Sequence, residues 1–326
     1  MKALVCNALG PIDQLVVQDV PTPEPGVGEV AIDVKACGIN FPDLLIVQGK
    51  YQFKPTPPFS PGAEIAGVIH SIGPGVASWM KGDSVVAMLP YGGLAERAVV
   101  SDAAVFRVPD GLDPAVAASV LTTYGTSWHA LVDRAALRAG EWLLVLGAAG
   151  GVGVAAMQIG KLLGAKVIAA ARGADKLAFC RENGADAVID YASEDLKARV
   201  KDITGGHGAD VTYDAVGGAF TEAALRASAW NGRLLVIGFA AGDIPKVPTN
   251  LCLLKGASIV GVFWGSFVMR EPVLARAQIT DVLERVRRGE LTPRIHGRFP
   301  LARGVEAMRE LESRRVMGKV VVTMGD

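Results

Sequence analysis

Two hydrophobic rhythms divide this chain. Over the first third, apolar and polar positions alternate in short stretches. Residues 30–35 (Val-Ala-Ile-Asp-Val-Lys) and 64–69 (Glu-Ile-Ala-Gly-Val-Ile) have the period of two expected of strands. Turn sequences interrupt them: Thr22-Pro23-Glu24-Pro25-Gly26, Gly73-Pro74-Gly75, and Lys81-Gly82-Asp83, which feeds another apolar run over 84–87. This part reads as an irregular, mostly β domain. The rhythm changes after Asp113-Pro114, where Asp113 is placed to cap a helix with proline in its first turn. Continuous apolar runs at 142–146, 166–170, 187–189, 211–214, 233–237 and 258–262 then alternate with helical segments to about residue 265. Short β-branched and leucine-rich strands of this kind suit a parallel sheet covered on both faces, the doubly wound α/β pattern. Amphipathic helices are predicted over 279–288 and 302–312. A last apolar strand over 319–323 stands outside the repeat and is free to return to the first domain.

The sharpest local signal is Gly147-Ala148-Ala149-Gly150-Gly151-Val152-Gly153, directly after one apolar strand and directly before a helix. In that helix Val152, Ala155, Ala156, Ile159, Leu162 and Leu163 share one predicted apolar face. Glycines in such a turn let the backbone approach a pyrophosphate whose charge faces the helix N-terminus. An NAD site places an acid at the end of the next strand for the ribose 2′-hydroxyl. Here that place holds Ala171, followed by Arg172 and Lys176, two cations suited to a 2′-phosphate. Asp175 reads as a cap of the following helix, and Tyr191, after the third strand, as a border for adenosine. The cofactor expected is therefore NADPH.

Composition narrows the partners. Of 326 residues, 33 are Lys or Arg and 33 Asp or Glu, so no net field selects nucleic acid or an anionic membrane. The basic run Arg285-Val286-Arg287-Arg288 reads as a solvated helix end. Four widely spaced cysteines, Cys6, Cys37, Cys180 and Cys252, form no CxxC pair and are expected as reduced thiols. No apolar stretch approaches the ~20 residues of a membrane span, and the opening residues lack a secretory layout. The expected setting is the cytoplasm.

Together with Cys37-Gly38-Ile39-Asn40, Pro61-Gly62-Ala63-Glu64-Ile65-Ala66-Gly67, Lys81-Gly82-Asp83 and Gly318-Lys319-Val320-Val321, the glycine loop resembles the medium-chain dehydrogenase/reductase superfamily, specifically its zinc-free quinone oxidoreductase (zeta-crystallin-like) branch. The resemblance covers essentially the whole chain. It implies a GroES-like catalytic domain (1–120 plus 266–326) split by a Rossmann domain (121–265), an active site in the cleft between them, and a homodimer built on an edge strand such as 258–262.

Departures from the alcohol dehydrogenases of that superfamily set the expected chemistry. There Cys37 would be a zinc ligand and a histidine would stand at 63; this chain has Ala63, no four-cysteine loop, and no second cysteine near 121–123. Three protein ligands for a catalytic zinc are not found, so no metal is expected. Cys37 then reads as a small buried hydrophobe and Glu64 as structural. Without a Lewis acid the natural acceptor is a small conjugated carbonyl such as a quinone, which takes hydride at an electron-poor carbon.

By resemblance Asn40 lies beside the nicotinamide and substrate, and Tyr51, if not simply packed on Phe53 and Pro55, hydrogen-bonds the substrate oxygen or protonates an enolate. A threonine, Thr122 in preference to Thr123, lies near the nicotinamide amide. The cofactor set is completed by Ala149, Gly150, Gly151 and Val152 of the loop and by Gly238, Phe239 and Phe263 after later strands. Lys319 either reaches the cofactor or pairs with a surface carboxylate, and Trp264 is either core or subunit contact. The alternatives are a 2-enoyl-thioester (enoyl-CoA) reductase and a non-catalytic NADPH-binding protein.

Overall fold

The structure, a computed structural model, describes residues 1–325. The chain forms two compact units: Met1–Thr122, Ile279–Gly289 and the chain from Pro293 on make the first, and Thr123–Gln278 with Glu290–Thr292 the second.

The first unit is built on strands β1 (Lys2–Val5), β2 (Val16–Asp19), β3 (Glu29–Ile39), β4 (Glu64–Ile72), β5 (Ser84–Met88), β6 (Arg97–Ser101) and β7 (Val105–Arg107), with helices α1 (Phe41–Val47) and α2 (Pro114–Ala117). Asp113 caps α2 as predicted, accepting the Ala115 and Val116 amides. In the second unit α3 (Thr123–Trp128) continues as a π-helical turn, His129–Arg134. There follow β8 (Trp142–Leu146), α4 (Gly151–Leu162), β9 (Lys166–Ala171), α5 (Ala174–Glu182), β10 (Ala187–Asp190), α6 (Leu196–Ile203), β11 (Ala209–Asp214), α7 (Ala219–Ala227), β12 (Ser228–Val236), α8 (Asn250–Lys255), β13 (Ser258–Gly261) and α9 (Trp264–Arg270). Helix α10 (Pro272–Arg287) begins in the second unit, and from Ile279 its residues belong to the first. The chain ends with β14 (Ile295–Pro300), α11 (Gly304–Glu312) and β15 (Lys319–Thr323).

In the first unit the sheet runs β14-β15-β3-β4-β5-β7, with β6 also on β3. The terminal strand returns to it as predicted: β15 lies antiparallel to β3 with Val320 opposite Ile39 and Val322 opposite Cys37. The alternation in β3 and β4 puts Ile32, Val34, Ile65 and Ile69 into one core with Leu4, Leu94 and Val322. In the second unit all six strands are parallel, ordered β10-β9-β8-β11-β12-β13. The order reverses between β8 and β11, the switch point where ligands bind at the carboxyl ends of such sheets. The fold is thus α/β, a GroES-like mostly-β part and a doubly wound Rossmann part.

Several local expectations need correction. Helix α10 starts seven residues before the predicted 279, because apolar positions on its first two turns stay exposed (Val273 and Leu274) and give no periodic signal. The helix expected over 302–312 opens as a 3₁₀ turn, Leu301–Arg303, and becomes α-helical only at Gly304. Leu162 is exposed rather than on the apolar face of α4, whose buried positions instead include Val154, Met157 and Gly160. That helix is covered by β8 and β9 on one side and by α3 on another, so its buried surface is wider than one stripe. Among the described residues no helix is long and apolar enough to cross a membrane.

Candidate functional site

Two groups of polar and glycine residues stand out, one in each unit. In the second unit, parallel strands put six connections at one sheet edge. Strand β8 is followed by the glycine turn, β9 by Arg172, β10 by Tyr191, β11 by Val216-Gly217-Gly218, β12 by Gly238 and Phe239, and β13 by Phe263.

Geometry makes two of the turn's glycines obligatory. Gly147 has φ +70°, which a side chain disfavours. A Cβ on Gly153 would lie 2.5 Å from Gly147 O and 2.7 Å from Ala148 Cα, so the first turn of α4 rests directly on the strand end. Gly150 caps α4, and Gly151 and Val152 open it. Ala149 is buried beneath, and the Val152 carbonyl accepts the Ser127 hydroxyl at 3.0 Å. Helix α4 therefore presents an N-terminus of bare backbone N–H groups, which fits a pyrophosphate.

At the end of β9, Ala171 is buried, Arg172 is exposed and Lys176 is half-buried. Burial lowers the Lys176 pKa, and the nearby Arg172 charge lowers it further; Cys180 opposes both. Two cations thus lie near one another where an NAD site would hold an acid, a pairing that an incoming phosphate dianion would relieve. Asp175 is not the cap expected of it: the N-cap of α5 is Gly173, and Asp175 sits within the first turn, where its charge meets the positive helix end. Tyr191 packs on Phe220 at 4.6 Å, Phe239 lies against Gly217, and Phe263 is 65% exposed. Trp264, left between two roles by sequence, is buried beside His129 and Phe267.

Sequence reasoning missed the residue that shapes one of these loops. Asp214, 3% exposed at the end of β11, accepts the Val216 and Gly217 amides through Oδ1 and the Thr221 hydroxyl through Oδ2. The signal was present as an Asp followed by Gly217-Gly218, an Asx-type turn.

The second group lies in the first unit, where sheet register assembles it. Because β15 pairs with β3 so that Val320 faces Ile39, Lys319 falls beside Asn40. Strand β4 begins at Glu64 on the other side of β3. The segment after α2 lies against β3 so closely that a Cβ on Gly38 would meet Ala118 O at 1.9 Å, and this delivers Thr122. Lys319 Nζ donates to Asn40 Oδ1 (2.6 Å), Ile39 O (3.0 Å) and Glu64 Oε2 (3.4 Å). Asn40 Nδ2 donates to Glu64 Oε2 (3.0 Å), Gly38 O (3.1 Å) and Thr122 Oγ1 (3.3 Å). The Thr122 amide donates to Glu64 Oε1 at 3.2 Å. Lys319 therefore pairs with a buried carboxylate, neither with a surface one nor with open space. Thr123 is buried at the start of α3, while Thr122 stays half-buried.

Asp43 closes the first turn of α1 by accepting the Asn40 amide at 2.7 Å. Burial pushes its carboxyl up to about 6, against the favourable Asn40 amide and Lys319 charge. Tyr51 stands nearby: burial raises its phenol pKa and the Asp43 charge raises it further. Its ring packs on the unit's core, and Phe53 stacks on Tyr91 instead (6.0 Å).

Sequence comparison gives this architecture relatives. Residues 151–281 match the zinc-binding dehydrogenase family and 26–110 the alcohol dehydrogenase GroES-like domain. The quinone oxidoreductase-like protein 2 homolog of Nematostella vectensis is 41% identical over 325 residues, 98% of this chain and 88% of that protein. A mycobacterial structure complexed with NADPH superposes with TM-score 0.93 at 30% identity, covering 99% of this chain and 100% of its own. An NAD-dependent alcohol dehydrogenase structure gives 0.91 at 32% identity, with 100% of both chains covered.

A zinc-binding match invites a test of the donors. Cys37 Sγ is enclosed by Gly62 and Gly93, whose Cβ atoms would lie 2.7 and 3.1 Å from it, and burial raises its thiol pKa well above the ordinary value. Glu64 is fully buried, with both oxygens already accepting from Asn40, Lys319 and Thr122. His70 is held by Asp33 and Arg97. Among the described residues no group of three or more His, Cys, Asp or Glu is arranged for a metal ion. These donors do not fit a catalytic zinc.

Proposed function

The chain belongs to the medium-chain dehydrogenase/reductase superfamily, in its quinone oxidoreductase-like branch, and we propose that it is a zinc-independent reductase that uses NADPH to deliver a hydride to quinones or similar conjugated carbonyls. The observation that carries the cofactor half is the cation pair Arg172 and Lys176 beside a buried Ala171, at the strand end where an acid would select NAD. NADPH, when bound, supplies the hydride. The protein's own residues bind, orient and donate hydrogen bonds. In this reading the N-terminus of α4 with Ala149, Gly150, Gly151 and Val152 holds the pyrophosphate. Tyr191 borders the adenosine, and Gly238, Phe239 and Phe263 line the nicotinamide side.

The substrate half rests on the chemistry of the first unit. Thr122 and Tyr51 are neutral donors, and the described residues bring together no set of three His, Cys, Asp or Glu side chains to hold an ion against an isolated ketone. A conjugated acceptor needs less help, because charge arriving with the hydride spreads to a distant oxygen. We assign Tyr51 as the proton donor: its phenol carries its proton at neutral pH and can give it to the strongly basic oxygen that hydride addition leaves on a conjugated acceptor. The names of the relatives agree with a quinone acceptor. The homodimer is part of the same proposal, built on β13, which has a neighbour on one side only.

The test is oxidation of NADPH and NADH by chelator-treated protein with 1,4-benzoquinone, an alkenal and an enoyl-coenzyme A. The reading expects turnover with NADPH in strong preference, unaffected by chelation, with benzoquinone or the alkenal the best acceptor. Dependence on added zinc, or a preference for NADH, refutes it; a marked preference for the enoyl thioester moves the assignment to an enoyl-thioester reductase.

A further inference from the structure

We infer that Lys319 and Glu64 are positioning residues that lock the amide of Asn40 and, through it, aim the hydroxyl of Thr122 outward as a hydrogen-bond donor to a ligand carbonyl. The inference rests on the reductase reading and deepens it. Asn40, Glu64 and Lys319 are 7%, 0% and 4% exposed, an unusual concentration of polar groups in a β core. A buried ion pair is a poor route to stability, because apolar residues of similar volume serve as well or better. What this one supplies is direction.

The direction follows from counting donors and acceptors. An ammonium only donates, and all three Lys319 protons are matched by Ile39 O, Asn40 Oδ1 and Glu64 Oε2. None remains for a cofactor or substrate. A carbonyl and a carboxylate only accept, so Gly38 O and Glu64 require the other end of Asn40 to be its amino group. The orientation of the Asn40 amide is thus forced from both sides. Its two N–H groups are spread over three acceptors, the last of which is Thr122 Oγ1. An amide nitrogen cannot accept, so Thr122 is the acceptor in that contact and its own proton points elsewhere. Among the described residues no protein group takes that proton. Glu64 Oε1 meanwhile holds the Thr122 amide, so backbone and hydroxyl are fixed by two separate bonds. The chain of bonds runs one way, from Lys319 to Asn40 to Thr122, and ends in an O–H donor at a half-buried residue.

A carbonyl oxygen is the matching ligand group, and two are available to a reductase: that of the nicotinamide carboxamide and that of the acceptor. Thr122→Val, Thr122→Ser, Lys319→Met, the Thr122→Val/Lys319→Met pair and Asn40→Asp test the inference. Two quantities are read: the dissociation constants of NADPH and thio-NADPH (carboxamide oxygen replaced by sulfur), by fluorescence titration, and kcat/KM with benzoquinone. If the carboxamide is the partner, wild type prefers NADPH over its thio analogue, and Thr122→Val and Lys319→Met erase that preference. If the acceptor carbonyl is the partner, both dissociation constants stand and kcat/KM falls on the order of tenfold, the weight of one net hydrogen bond.

In either case Thr122→Ser, which keeps the hydroxyl, restores part of what Thr122→Val loses, and Lys319→Met costs nothing further in the Thr122→Val background, because both changes remove the same interaction. Asn40→Asp keeps the partner of Lys319 but replaces the donor facing Thr122 with an acceptor. It should match Thr122→Val, and it carries the test if Lys319→Met does not fold. Additive losses in the double variant, or Thr122→Val indistinguishable from wild type in both measurements, overturn the inference. Wild-type protein that binds NADPH yet reduces no acceptor overturns the reductase reading instead, and leaves the binding arm to judge the Thr122 chain.

Discussion

Replacing Asp43 by Asn should remove a pH dependence of stability that wild type carries in the unusual direction. Asp43 is 1% exposed, and its carboxyl is raised from 3.8 to about 6, chiefly by burial. Between those values the folded state binds a proton that the unfolded state has released, so stability falls as pH rises. Raising the pH through the folded value near 6 completes the loss; below 3.8 the contribution is fully present. A difference of about two units at 1.36 kcal/mol each makes the effect about 3 kcal/mol. Asp33, Asp113, Glu141 and Asp186 act oppositely, since ion pairs hold them below the ordinary range. They are present in both proteins, so they cancel in the comparison. Asparagine keeps an oxygen for the Asn40 amide, and any cost of its buried amino group does not vary with pH. The assay is denaturant unfolding of both proteins at pH 8, 6 and 4.5. Wild type should gain on the variant by about 2 kcal/mol as the pH falls from about 8 to 4.5. Parallel profiles would show that Asp43 is not held protonated by burial.

Gly153→Ala forces a Cβ to within 2.5 Å of backbone, so it should cost about 1–3 kcal/mol in unfolding experiments and weaken NADPH binding measured by titration. Arg172→Ala and Lys176→Ala should each raise the NADPH dissociation constant by about tenfold, a modest charged hydrogen bond, while leaving NADH binding unchanged; equal effects on both cofactors would refute the 2′-phosphate assignment. The proposed homodimer should appear as twice the chain mass in sedimentation, and Ile259→Lys, on the one-sided strand β13, should return it to a single chain.

The parallel sheet was legible from sequence because its inner strands are buried on both faces and so read as largely apolar runs. Trp142–Leu146 is matched residue for residue. Strand β12 was less so: it begins at Ser228, five residues before the predicted start, because Trp230 and Asn231 are exposed and break the run. Local turn chemistry was equally readable where the partner is a near neighbour, as with Asp113 and its two amides. It failed at Asp175, where glycine takes the cap and the acid sits two residues further on, within the first turn.

The first-unit site was legible only in part, for a reason of sequence distance. Asn40, Thr122 and Tyr51 stand out as residue types near motifs. Beyond the local bonds to Gly38 and Asp43, what holds Asn40 and Thr122 is a set of contacts that join positions 24 to 279 residues apart. Nothing in the local pattern of Gly318-Lys319-Val320 says whether the lysine faces water or core; strand register decides it, and register is a property of β3 and β15 together. Once Val320 is opposite Ile39, the ammonium has nowhere to go but among Ile39 O, Asn40 and Glu64. A buried ammonium with three acceptors is satisfied; without Glu64 it becomes an unpaired charge in the core, at a cost of about 3–5 kcal/mol. The three residues therefore constrain one another, and a sequence that carries Glu64 at the head of β4 and Asn40 at the end of β3 needs a cation at 319 for the corner to close.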